Sequence, residues 1–307
     1  MSPIPKRDFL SLLDFSPEEL DYLITRARQF RVMHEQGEVY QPLVGKVGAL
    51  ILQLHSTRTR VAFESGMAQM GAHCIQIGST GSQLSRGEPI ADMAKVLSEM
   101  VDIVMVRTLS QTDIETLAEN STVPVINAMS SFLHPCQLLA DVQTFEEMRG
   151  SIQGKTVAFV GDGYNMCHSY INAARQWGFY LKVACPKNYE PDAELLASTN
   201  NAELVDTPEE AVASADLVVT DVWSSMGHEG QESDRRAIFE PYQINERLLD
   251  GASKDALFMH CLPAHRGEEI SETLFDDPRS VVFKEAGNRL HSQKALIEFL
   301  LLGKVEA

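Results

Sequence analysis

Ser56-Thr57-Arg58-Thr59-Arg60 sets three hydroxyls and two guanidinium groups in five consecutive residues. A guanidinium fork matches the oxygens of a phosphate, and hydroxyl and amide donors complete such a cradle. Three further segments carry reactive side chains. His134-Pro135-Cys136-Gln137 opens a helical stretch, Asp221 to Gly227 (DVWSSMG) follows an apolar run, and His260-Cys261-Leu262-Pro263 follows another. Imidazole, carboxylate and thiol are the groups that move protons or attack carbonyl carbon. Taken singly each has a plainer reading. Arg58 and Arg60 could be solvated on a capped helix, His134 could be structural, Asp221 could cap a turn, and Cys261 could be a buried inert thiol.

The elements that must position these residues are legible from hydropathy. Residues 47–54 (VGALILQL) are apolar enough for a buried strand, and Val61 to Met70 has helical spacing, so Ser56 or Thr57 falls at an N-cap. The free N–H groups of a first helical turn attract anions. Ser16-Pro17-Glu18-Glu19 is a capping box opening an amphipathic helix through Leu20, Leu23, Ile24, Ala27 and Phe30. Short apolar runs at 73–77, 103–107 and 123–126 alternate with helix-compatible segments, and a long helix is expected from His134 to Met148. A second series of strands is expected at 155–161, 180–185, 203–206, 216–222, 256–261 and 280–283, closed by a helix over 288–302. This βαβα pattern predicts an α/β protein of two doubly wound parallel-sheet domains with an active-site cleft between them. The expected division is 1–135, a connecting helix 136–149, and 150–287, with 288–307 packing back on the first domain.

Composition sets limits. The 307 residues suit two domains, and 44% hydrophobic with 22% charged residues is globular. A net charge of −17 argues against a nucleic-acid partner. Five scattered cysteines without CxxC spacing read as reduced thiols, no secretory signal is expected, and no apolar run is long enough to span a membrane. The expectation is a cytoplasmic protein. Gly161-Asp162-Gly163-Tyr164-Asn165-Met166 looks like a dinucleotide fingerprint, but Met166 replaces the third glycine, and Cys185-Pro186-Lys187 stands where the acidic residue after the next strand is expected. The histidine and cysteine spacing at 260–265 matches no familiar zinc pattern. No cofactor and no metal are expected.

Together, the STRTR segment, His134-Pro135-Cys136-Gln137, Asp221 with Ser225-Met226-Gly227, and His260-Cys261-Leu262-Pro263 resemble the ornithine branch of the aspartate/ornithine carbamoyltransferase family. The likeness runs from the first helix to Asn288-Arg289-Leu290-His291. It implies a carbamoyltransferase of arginine biosynthesis that converts carbamoyl phosphate and L-ornithine to L-citrulline and phosphate. Carbamoyl phosphate would be held by Ser56, Thr57, Arg58, Thr59, Arg107, His134, Pro135, Cys136, Gln137, Cys261, Leu262 and Arg289. Ornithine would meet Asn165, Asp221, Ser225 and Met226. Arg107, His134, Asp221 and Cys261 would be the catalytic groups. Gln83 would reach a neighbouring subunit's site, implying a homotrimer with shared active sites. A carbamoyltransferase for another amine such as putrescine, and a non-catalytic binding module, are the competing readings. The chain departs from the family at Leu52-Gln53-Leu54-His55, where members commonly carry an aromatic and a lysine, and at Tyr164, where asparagine is frequent. Weaker binding of phosphate-mimicking inhibitors is the expected consequence.

Overall fold

The computed structural model describes residues 5–78, 87–224 and 232–305, with the backbone alone for 232–234. The chain divides into two compact units, Met1–Gln143 with Gly287–Ala307, and Thr144–Ala286.

The first unit is built on a four-stranded parallel sheet of order β2-β1-β3-β4. Its strands are β1 (Val47–Leu52), β2 (His73–Gly78), β3 (Ile103–Arg107) and β4 (Val125–Met129). β1, β3 and β4 are buried nearly throughout, as strands covered on both faces must be, whereas edge strand β2 is largely exposed. The helices are α1 (Pro17–Glu35), α2 (Thr57–Gln69), α3 (Ile90–Ser98) and α4 (Gln111–Asn120). α1 begins with the expected capping box. The Ser16 hydroxyl accepts from Glu19 N–H at 3.3 Å, and the Glu19 carboxylate accepts from Ser16 N–H at 3.0 Å. Leu52 of β1 is paired with Arg107, the last residue of β3. That register puts Arg107 and the start of α2 at the same end of the sheet.

The second unit holds a five-stranded parallel sheet of order β7-β6-β5-β8-β9. Its strands are β5 (Thr156–Val160), β6 (Tyr180–Ala184), β7 (Ala202–Leu204), β8 (Leu217–Thr220) and β9 (Leu257–His260). Its main helices are α6 (Asn165–Trp177), α7 (Ala193–Ala197), α8 (Pro208–Val212), α9 (Glu232–Phe239) and α10 (Glu246–Leu249). Ala158, Val160, Val218, Phe258 and Ile270 are among the residues of its core. α5 (Pro135–Arg149) and α11 (Val282–Leu302) each contribute residues to both units.

The strand expected at 280–283 does not form. Ser280 makes a single bridge to Phe258, and Val282 already begins α11, six residues before the helix start expected at Asn288. Val282, Glu285, Asn288 and Arg289 are buried while Phe283 is exposed. That is a helical face, but its polar members hide it from a hydropathy reading. The remaining strands depart from expectation only at their ends. Among the described residues, no helix is long and apolar enough to cross a membrane.

Candidate active site

In the first unit the STRTR segment turns from β1 into α2. Ser56 is the N-cap: its hydroxyl accepts from Thr59 N–H at 3.2 Å, leaving other first-turn N–H groups available to an anion. The two arginines separate. Arg60 is exposed and pairs with Glu64 at 3.1 Å. Arg58 is half-buried, and its charge is felt at His134.

Thr59 is the hub of this cluster. Its hydroxyl oxygen is fully buried and lies 3.3 Å from an Arg107 NH1 and 3.0 Å from an Arg289 NH2, both of which donate to it. Arg289 NH1 donates to Gln137 Oε1 at 2.8 Å, and Gln137 Nε2 donates to Asp141 at 2.9 Å. A hydroxyl has two lone pairs and one proton. Thr59 spends both lone pairs on guanidinium groups, so its proton is the part left for a ligand oxygen.

His134 directly precedes α5, and Pro135 occupies the first helical position, where a missing N–H costs nothing. Burial, followed by the charges of Arg289, Arg107 and Arg58, holds His134 well below the usual imidazole range. It is a neutral ring at pH 7, suited to donate one hydrogen bond rather than to carry charge. Cys136 is engaged elsewhere. Its thiol donates to the Asn127 carbonyl at 3.4 Å, and burial pushes it up to about 12. Any part it takes in ligand binding is through its backbone.

In the second unit the ends of β5, β8 and β9 carry the other residues. Asn165 is buried at the first position of α6, and Asp221 and Cys261 follow β8 and β9. The Cys261 thiol donates to Asp221 Oδ1 at 3.1 Å, and Val222 N–H donates to the same oxygen at 2.7 Å. Burial raises Asp221 above the usual carboxylate range, opposed by His260 and by the Cys261 thiol. A carboxylate made more basic in this way is a better proton acceptor. Leu262 has a left-handed backbone (φ 58°), and its N–H donates to His260 Nδ1 at 2.9 Å. Gln83, Ser225 and Met226 lie outside the described residues.

His260 and Glu269 are both fully buried; the sequence marked His260 only as part of the His260-Cys261-Leu262-Pro263 motif, with no role of its own, and did not mark Glu269. His260 Nδ1 accepts from Leu262, so its proton sits on Nε2, 3.2 Å from Glu269 Oε1. The ring thereby fixes the peptide after Cys261. The hints in the sequence were His260's place in that motif and at the end of a central strand. Asp221, His260 and Cys261 offer ligand-type atoms within 4.8 Å of one another. Both nitrogens of His260 are already engaged, so the trio offers a metal at most a carboxylate and a thiol.

The glycines of the fingerprint-like turn have a packing reason. A side chain at Gly163 would stand 2.3 Å from Pro191 N and 2.6 Å from the Tyr189 carbonyl. At Gly161 (φ +136°) it would stand 3.2 Å from Thr220 Oγ1. The chain's own backbone needs these positions bare, which accounts for the pattern without a dinucleotide.

Fold and residues define a two-unit α/β carbamoyltransferase. Residues 7–147 match the carbamoyl-P binding domain, and residues 153–300 the Asp/Orn binding domain, of aspartate/ornithine carbamoyltransferase. The chain is 56% identical over 302 residues to the ornithine carbamoyltransferase of Chromohalobacter salexigens, covering 98% of this chain and 99% of that protein. It is 56% identical over 296 residues to the anabolic ornithine carbamoyltransferase of Pseudomonas aeruginosa, covering 96% and 97%. The solved ornithine carbamoyltransferase of Pyrococcus furiosus superposes with a TM-score of 0.93 at 44% identity, covering 100% of each chain. That of Burkholderia thailandensis gives 0.91 at 46%, covering 97% of this chain and 100% of that one. The chain belongs to the aspartate/ornithine carbamoyltransferase family.

Proposed function

We propose that this chain transfers the carbamoyl group of carbamoyl phosphate to the δ-amine of L-ornithine, releasing L-citrulline and phosphate, in the biosynthetic direction of arginine metabolism. The observation that carries the proposal is the Thr59 hydroxyl held between two guanidinium groups, in a unit where the buried imidazole is neutral. Ser56, Thr57, Arg58 and Arg107 bind the phosphate. Thr59, Arg107 and His134 donate to the carbonyl oxygen as it gains charge, and Gln137 and the Leu262 carbonyl take the amide. Pro135 and Cys136 shape the same wall, and Arg289 ties it to α11.

Asn165 and Asp221 receive ornithine, with Ser225 and Met226 at its amino-acid end. An alkyl amine with a pKa of about 10.4 is unprotonated in only about one molecule in 2,500 at pH 7, a deficit of roughly 4.6 kcal/mol. Asp221, raised by burial and hydrogen-bonded to Cys261, orients the ammonium and takes up its proton. The freed nitrogen lone pair attacks the carbamoyl carbon. The oxyanion then re-forms the carbonyl as the C–O bond to phosphate breaks, and phosphate leaves with the electron pair and takes the second proton from the attacking nitrogen.

The functional enzyme is a cytoplasmic homotrimer in which Gln83 completes a neighbour's site. Two features of the first unit support assembly through its β2 edge. β2 is an exposed edge with Ile75 44% accessible, and a cavity of about 570 Å³ beside it is lined by Leu54, His55, Ser56, Thr57, Arg60 and Gln76. Leu54 and His55 line that cavity, and a neutral Leu54 in place of the lysine that the family resemblance leads one to expect lowers the positive potential there, so phosphonate inhibitors bind this enzyme less tightly. The double change Leu54→Lys, His55→Ser restores tight inhibition; unchanged inhibition refutes the idea.

The deciding experiment is citrulline formation from carbamoyl phosphate with ornithine and, separately, with putrescine, in both directions. Activity with putrescine alone, or with neither amine, overturns the reading.

A further inference from the structure

We propose that Arg235, through its pairing with Asp162, is a positioning residue that braces two ends of the sheet and so sets the placement of Asn165 and Asp221 for ornithine. The proposal rests on the carbamoyltransferase reading and names residues outside the site described above.

Arg235 lies in α9, and only 4% of it is accessible. Its Nε donates to the Trp223 carbonyl at 2.6 Å, and its NH2 donates to the Asp162 carboxylate. Trp223 is two residues beyond Asp221, while Asp162 is three residues before Asn165 in the turn after β5. β5 and β8 are adjacent and parallel, with Phe159 opposite Val219, so their C-terminal ends lie side by side. One rigid planar group therefore holds both segments from which the ornithine candidates project. A guanidinium serving only as a counter-ion would put two parallel donors on one carboxylate. This one divides its donors between a backbone carbonyl on one segment and a carboxylate on the other.

The brace is itself fixed. The guanidinium carbon lies 4.6 Å from the Tyr189 ring centroid and 5.0 Å from that of Phe239, and those rings meet edge-on at 4.8 Å. Such stacking favours arginine over lysine. The Tyr189 segment also passes Gly163 closely enough to exclude any side chain there, so it anchors the same turn. Burial of Asp162 pushes its carboxyl up to about 6 in spite of Arg235, so removing the arginine leaves a carboxyl that takes up a proton and loses its grip on the turn.

The test compares Arg235→Lys, Arg235→Ala and Asp162→Asn with the exposed neighbour Arg236→Ala. Three quantities are measured on the full chain: KM for ornithine at saturating carbamoyl phosphate, Kd for carbamoyl phosphate by calorimetry, and Tm. Lysine can still face Asp162 but cannot also reach the Trp223 carbonyl. Arg235→Lys therefore keeps Tm within a few degrees and carbamoyl phosphate affinity within about twofold, while KM for ornithine rises about ten- to a hundredfold. Asp162→Asn moves KM the same way, and Arg236→Ala changes nothing. Should Arg235→Ala fail to fold, the lysine and asparagine variants still decide the matter. The proposal is overturned if Arg235→Lys retains the parental KM for ornithine, or if carbamoyl phosphate affinity falls by the same factor. A parent chain that forms no citrulline overturns the functional reading instead, and the substrate named here with it.

Discussion

Replacing Thr59 by valine removes the hydroxyl while keeping the side chain's shape, so no cavity complicates the result. The hydroxyl receives two hydrogen bonds from charged donors, at 3.3 and 3.0 Å, at a fully buried position. A hydrogen bond to a charged group is worth about 1.5–3 kcal/mol. Two of them set an upper bound of about 3–6 kcal/mol on what the free enzyme loses, part of it recovered when Arg107 and Arg289 meet the ligand instead. For catalysis the decisive loss is the Thr59 proton. Removing one preorganised donor to a developing oxyanion costs about 10²–10³ in rate, or roughly 2.7–4 kcal/mol. Thr59→Val should therefore lower kcat by two to three orders of magnitude, and Thr59→Ser should stay within about tenfold of the parent. The assay is steady-state citrulline formation, with carbamoyl phosphate binding measured separately. A valine variant keeping more than about a fifth of the parental kcat would refute the assignment of the free proton to the carbonyl oxygen.

Arg58→Ala should abolish useful carbamoyl phosphate binding, with KM raised more than tenfold; a near-normal KM would remove Arg58 from the cradle. Cys261→Ser should chiefly impair ornithine use, since its thiol bonds to Asp221, and a defect confined to carbamoyl phosphate would sink that role. His134 contributes to pH-dependent stability. Its pKa is depressed on folding, so the unfolded state binds more protons below its pKa of about 6.5, and stability falls as pH falls through that value. The Tm gap between the parent and an otherwise stable His134→Gln variant should narrow from pH 7.5 to pH 5, and a gap that widens contradicts the neutral ring. Gly163→Ala should destabilise by about 1–3 kcal/mol or more in thermal unfolding, because the clash is with backbone; an unchanged Tm would mean the 186–191 segment yields freely.

Most of the fold was legible because parallel strands buried on both faces read as plain apolar runs, as β1, β3, β5 and β9 do. The start of α11 was not, since Glu285, Asn288 and Arg289 occupy its buried face and Val281-Val282-Phe283 is too short to show a period. Residue types drew attention to Ser56, His134, Asp221 and Cys261. Their division of labour needed coordinates: Arg58 against Arg60, the Cys136 thiol bonded to Asn127, and the Thr59 hydroxyl between two arginines are matters of side-chain direction. Arg235 was invisible for a related reason. Nothing in a surface-like helical segment marks an arginine whose partners lie 12 and 73 residues away.

The last helix carries a consequence for biosynthesis. Arg26 in α1 is buried against Glu298 in α11, at 2.6 and 3.0 Å, across 272 residues of chain. A ribosome that has released the first 143 residues has therefore not yet supplied the partner of a buried cation, nor Arg289 for Thr59. Residues 144–286 are contiguous and can pack as they emerge, so the segment translated first is completed last. Until the final turn of α11 appears, Arg26 must stay solvated, because an unpaired buried charge costs several kcal/mol. Nascent chains stalled before residue 298 should hold a protease-resistant second unit beside a first unit that is still open to cleavage.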